Sequence, residues 1–177
     1  MTAPAARRLF FALWPAADCR AELAARARDA RAGLPGRAIP DENLHLTLAF
    51  LGKVPVEKIP EVEAVADAIA GDRFDLVLDR RGWIRRAEIL MLAPAGSPPA
   101  LNALAKAVAD GLQPVGFNID FKRFRPHVTI ARRCDRGAAG EVPPVHWSVD
   151  GFALVASELD HHGARYRVVR DWPLNPA

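Results

Sequence analysis

Several things are scarce in this 177-residue chain, and each scarcity removes a class of protein. There are two cysteines, Cys19 and Cys134, and they do not form a CxxC pair. That excludes a disulfide framework, and two free thiols fit a reducing compartment. Long hydrophobic runs are missing. The apolar stretch within "MTAPAARRLFFALWP" is short, ends at Pro15 and leads into charged residues. It is too short for a signal core or a membrane span, so a cytoplasmic location and no membrane association are expected. Charge of one sign is also scarce. A formal net charge of +3 and a pI near 9.2 suit an anionic ligand but do not describe a protein that coats nucleic acid. No low-complexity segment or long linker appears, and no glycine-rich triphosphate loop, which argues against ATP-driven chemistry. Threonine is scarce as well: the chain has Thr2, Thr47 and Thr129 and no other.

Half of the chain is hydrophobic and a quarter charged, an ordinary balance for a globular protein with a substantial core. The length fits one domain over residues 1–177, built as two lobes around a shared cleft. "RRLFFALW" reads as a strand. The alanine-rich segment after Pro15 reads as a helix closed by Gly33 and Pro35. "DENLHLTLAFLG" reads as a second strand, and the segment around Pro60 as a second helix ending at Gly71. "RFDLVLDRRGWI" and "AEILMLAPAG" read as consecutive strands. A third helix follows, with Ser97 as its expected cap and Pro98 near its first turn. "FKRFRPHVTIARRC" is another strand, "DRGAAGEVPP" a loop, and two closing strands are joined by a turn at "DHHG". About seven strands and three helices without regular βαβ alternation predict an α+β fold with mostly antiparallel sheets.

The chain echoes itself. "HLTLA" at His45–Ala49 recurs as "HVTIA" at His127–Ala131, 82 residues later. Both internal threonines stand two residues after a histidine, a coincidence of roughly one in a thousand by composition. Side chains alternate along a strand, so His45 and Thr47 share a face, as do His127 and Thr129. A pseudo-twofold relation between the halves lets these polar faces meet across a central groove.

Two imidazoles across a cleft supply an acid and a base near neutral pH. Threonine hydroxyls donate to an anion, and guanidinium groups suit phosphate oxygens. Arg123, Arg125, Arg132 and Arg133 flank the second motif. Strict alternation puts Arg132 off the His127 face, so it reaches the groove only at a strand end or a bulge. The set describes phosphodiester cleavage without metal, through a phosphorane-like state stabilised by fixed donors. A zinc site on His45 and His127 lacks further ligands at the usual spacing. A non-catalytic RNA-binding module would call for cations and stacking rather than paired imidazoles.

The paired motifs, the opening "RLFFALWP", the flank "LAFLG" and the ending Leu154 to Leu174 with Ser157, Gly163, Tyr166 and Trp172 resemble the 2H phosphoesterase superfamily. Within it the chain is similar to the bacterial RNA 2′,3′-cyclic phosphodiesterases, also called 2′-5′ RNA ligases. The resemblance implies a bilobal α+β fold with two mostly antiparallel sheets, helices packed outside, and both motifs facing a cleft. It implies hydrolysis of a terminal RNA 2′,3′-cyclic phosphate to a 2′-phosphate; apart from the resemblance, a monomer with no cofactor and no metal is expected. On that resemblance His45 is the proton donor and His127 the proton acceptor. Thr47, Thr129 and Arg132 hold the phosphate, and Phe11 stacks on a base or packs in the core. Tyr166 and Trp172 are expected to be structural. The same residues also suit ligation through, or cleavage of, a 2′-5′ phosphodiester bond.

Overall fold

The structure is a computed structural model that describes residues 5–160 and 163–176. It is an α+β fold dominated by one antiparallel ladder. In chain order the strands and helices are β1 (Ala6–Leu13), α1 (Ala17–Ala30), β2 (Arg37–Ala38), β3 (Leu46–Pro55) and α2 (Ile59–Asp67). They continue as β4 (Phe74–Ile84), β5 (Ile89–Ala93), α3 (Pro99–Leu112), β6 (Val128–Arg132), β7 (Gly140–Val149), β8 (Gly151–Asp160) and β9 (Gly163–Pro173). The strands run β7-β4-β5-β6-β3-β1-β8-β9, with β2 added alongside β6.

This order is two four-stranded halves joined back to back. β6-β5-β4-β7 repeats β3-β1-β8-β9, and every pairing within each half is antiparallel. The connections repeat as well, since β1 leads through α1 to β3 and β5 leads through α3 to β6. The two expected sheets are thus continuous, but only through the single pair Leu46↔Val128. Both motif strands lie at that seam.

The helices cover one face of the ladder. α1 packs against β7 and α3 against β3, so each helix crosses to the half that does not contain its own strands. Leu23, Ala24 and Ala27 of α1 and Leu101, Leu104 and Val108 of α3 join the core with Leu9, Phe11 and Leu13 of β1. On the other face a small apolar cluster of Phe10, Ala12, Ala153 and Val155 is flanked by Trp14, Tyr166 and Val168. β1 is therefore apolar on both faces, one for the core and one for the open side.

Some sequence expectations shift locally. The loop expected over residues 135–144 becomes strand from Gly140 onward. Pro143 and Pro144 are tolerated because β7 is an edge strand, where missing N–H donors cost no ladder bond. The cap of α3 is Pro98 rather than Ser97, whose hydroxyl donates to Asn102 Oδ1 at 2.8 Å instead. The turn expected at "DHHG" falls on residues 161 and 162, outside the described ones. Among the described residues no helix is long and apolar enough to cross a membrane.

Candidate active site

Both histidines sit one residue before their strands, His45 at β3 and His127 at β6. The pair Leu46↔Val128 fixes how they meet. Extending that antiparallel register by one residue each way puts His45 opposite Thr129 and Thr47 opposite His127. Alternation then places all four side chains on one face, the open face of the ladder. Leu46, Leu48, Val128 and Ile130 point the other way into the core. The apolar residues of each motif therefore fix the direction of the polar ones.

The two imidazoles are held alike. His45 Nδ1 lies 2.7 Å from the Asn43 carbonyl oxygen, and His127 Nδ1 lies 2.7 Å from the Arg125 carbonyl oxygen. A carbonyl only accepts, so each Nδ1 carries a proton and donates it. In each ring Nε2 is therefore the nitrogen not engaged by the backbone. In neutral His45 that nitrogen accepts from the Thr47 hydroxyl at 3.1 Å.

The surroundings of the two rings differ. His45 is enclosed by Phe10 at 4.9 Å, Trp14 stacked at 5.7 Å and Tyr166 edge-on at 5.2 Å between centroids. This burial strips water from the imidazolium and lowers the His45 pKa from 6.5 to about 4. The positive charges of Arg132, His127 and Arg20 push the same way, while the bond to the Asn43 carbonyl opposes them. The approach to His45 is clamped by Arg20 of α1. Its guanidinium donates to the carbonyls of Asp41, Glu42, Leu44 and Pro15 and lies over the Trp14 ring.

A bulge brings Arg132 to the groove. On β6, Thr129 pairs with Met91 and Ala131 with Leu90, so Ile130 is an extra residue against β5. One inserted residue shifts the alternation beyond it and returns Arg132 to the His127 face. β3 carries the same device: Ala12 pairs with Thr47 and Phe11 with Ala49, leaving Leu48 unmatched. The bulge delivers Phe50 there, so Phe50 and Arg132 are pseudo-twofold counterparts. Both line a cavity of about 350 Å³ with Arg8, Phe10, His45 and Thr47. Ser157 and Tyr166 complete its far wall.

Phe11 does not reach this cavity. Its ring is 0% exposed and packs against Phe152 and Trp172 on the core side, so of the two readings of Phe11 core packing holds and base stacking does not. Its neighbour Phe10 has the opposite parity and faces the site. Phe50 is the ring with an open surface, 49% exposed, with the Arg8 guanidinium 5.0 Å from its centroid. Tyr166 touches His45 directly. Trp172 is structural as expected: it is buried, and its indole N–H donates to Asp67 at 2.7 Å. Among the described residues no three His, Cys, Asp or Glu side chains converge on one point.

This chain is similar to known proteins. A family model described as the 2′-5′ RNA ligase superfamily matches residues 19–161. An RNA 2′,3′-cyclic phosphodiesterase of Escherichia coli is 31% identical, aligned over 95% of this chain and 97% of that protein. One from Thermus thermophilus is 32% identical over 94% of this chain and 90% of its own length. The crystal structure of E. coli LigT complexed with 3′-AMP superposes with a TM-score of 0.81 at 32% identity, covering 96% of this chain and 98% of that one. The family-model match over residues 19–161 and the 31% identity across 95% of the chain place this chain in the 2′-5′ RNA ligase superfamily.

Proposed function

We propose that this protein hydrolyses RNA 2′,3′-cyclic phosphate ends to 2′-phosphomonoesters by two-histidine acid/base catalysis. The observation that supports the reading is the shared face that the register gives His45, Thr47, His127 and Thr129 at the single-pair seam, with each Nδ1 held by a backbone carbonyl. The relatives named RNA 2′,3′-cyclic phosphodiesterase support the substrate class.

The cyclic phosphate enters the groove beside Arg132. His127 Nε2 accepts a proton from water as the water oxygen bonds to phosphorus. The bond from phosphorus to O3′ breaks, and His45 Nε2 delivers a proton to O3′, leaving the phosphate on O2′. Thr47 and Thr129 hydroxyls and the Arg132 guanidinium carry the charge of the five-coordinate state. No metal is needed for this sequence of transfers. Phe50, with its open face on the cavity wall, is the surface for the terminal base. The protein acts as a cytoplasmic monomer on RNA ends. The same two proton transfers also serve a 2′-5′ phosphodiester bond in either direction.

A second assignment of the histidines is favoured by the depressed His45 pKa. A ring that stays neutral to about pH 4 is ready to accept a proton, which would make His45 the base and His127 the acid. In the first assignment the phosphate anion must raise the His45 pKa as it binds. A substrate with sulfur in place of O3′ separates the two, because a thiolate leaves without protonation. Each histidine-to-alanine variant should lose about 10²–10⁴-fold in kcat on the oxygen substrate. Rescue of His45→Ala alone by sulfur supports His45 as donor, and rescue of His127→Ala alone reverses the roles. Near-normal kcat in either variant on the oxygen substrate would refute the pair.

A further inference from the structure

We propose that a second anion site, walled by Arg37, Arg132 and Arg133, holds the phosphate on the 5′ side of the ribose that carries the cyclic phosphate. The proposal rests on the function given above and extends it from a reacting end to a stretch of chain.

A cavity of about 320 Å³ lies between β2, β6 and the start of β9. Among the described residues its wall includes the three arginines and no acidic side chain, and it shares Arg132, Ala164 and Tyr166 with the cavity that holds His45. The two spaces are therefore contiguous, with Arg132 on the boundary. A ligand whose first phosphate lies at the histidines reaches the second space across one ribose.

The backbone brings these cations together. Arg37 and Arg132 are direct cross-strand partners on β2 and β6, so their side chains rise from the same face. Arg133 follows Arg132 and would face away in a regular strand. It instead has a φ of 57°, a left-handed conformation uncommon for arginine, and lines the same cavity. Among the described residues neither Arg132 nor Arg133 forms an ion pair.

The close approach of β2 depends on Gly36. It has a φ of 109°, and a Cβ there would lie 2.5 Å from Cys134 Sγ and 2.8 Å from the Arg132 carbonyl oxygen. Only glycine lets the chain turn tightly enough to set Arg37 beside Arg132. The pseudo-twofold gives the site its sense. Phe50 offers a ring on one flank of the reacting phosphate, and its counterpart Arg132 begins a cationic flank on the other.

Four substrates test this: a nucleoside 2′,3′-cyclic phosphate, its 5′-phosphorylated form, a dinucleotide ending in the cyclic phosphate, and that dinucleotide with a neutral methylphosphonate link. Each is measured with the wild-type protein and with Arg133→Asn, since asparagine tolerates the left-handed conformation. The charged dinucleotide and the 5′-phosphorylated nucleoside should exceed the other two in kcat/KM by about tenfold, the effect of a charge-assisted contact. Their advantage should shrink as salt rises and screens the added charge contact. Arg133→Asn should remove the advantage and cost nothing on the methylphosphonate dinucleotide. An equal cost on charged and neutral substrates would overturn the site, as would an advantage retained by the methylphosphonate link. No turnover of any of the four would refute the parent reading and this one with it. Turnover of the nucleoside cyclic phosphate with no gain from a 5′ phosphate refutes the second site alone.

Discussion

Acid should weaken this protein through His45 in a way that a His45→Gln variant does not share. Unfolded, the imidazole takes up a proton near its ordinary pKa of 6.5; folded, it resists until about pH 4. The cause is burial under Phe10, Trp14 and Tyr166, with added repulsion from Arg132, His127 and Arg20. A depressed pKa in the folded state means that the unfolded state binds more protons, so stability falls as the pH is lowered through this window. The contribution is complete above pH 6.5 and is lost on acidification toward pH 4. Linkage over that interval gives about 3 kcal/mol in total, of which roughly 2 kcal/mol is lost by pH 5, before most carboxylates titrate. Urea denaturation of both proteins at pH 8 and pH 5 reads this directly. The wild type should lose about 2 kcal/mol more than His45→Gln over that step. Parallel losses in the two proteins would refute the claim that the aromatic enclosure holds His45 neutral.

Two further outcomes follow from the same packing. Phe11→Ala should destabilise the fold by about 3–5 kcal/mol in urea denaturation, because the ring is fully enclosed between Phe152 and Trp172. A change in KM with unaltered stability would return Phe11 to the substrate site. Arg20→Lys should cost roughly 1–3 kcal/mol, since a point charge cannot replace a planar fork that reaches the Asp41, Glu42, Leu44 and Pro15 carbonyls. Unchanged urea midpoints would show that the clamp does not hold the turn before His45.

The doubled motif was legible because its physics is local. Alternation alone puts histidine and threonine on one face, and the apolar residues between them choose which face is buried. The helices were legible from their spacing and from the prolines near their starts. What the residue pattern hides is parity. "LFFALW" is apolar at every position because β1 has a core on one side and an aromatic wall on the other, so nothing in the run distinguishes Phe10 from Phe11. Arg132 is hidden for the opposite reason. The bulge at Ile130 reverses the alternation, and its only trace in sequence is the paired apolar residues Ile130 and Ala131, matched by Leu48 and Ala49 in the other motif. Arg20 and Tyr166 reach the site from distant elements, and no short-range pattern announces either contact. β2 is two residues long and exists only because Gly36 lets it lie against β6.

The central claim is that paired imidazoles open a cyclic phosphate in one direction without metal. Phosphorus NMR of an oligoribonucleotide ending in a 2′,3′-cyclic phosphate, incubated with the protein in excess EDTA, tests it most directly. The cyclic resonance should be replaced by that of a 2′-phosphomonoester alone, at a rate unaffected by the chelator and abolished in His127→Ala. A 3′-phosphate product, or a reaction that stops on chelation, would contradict the account.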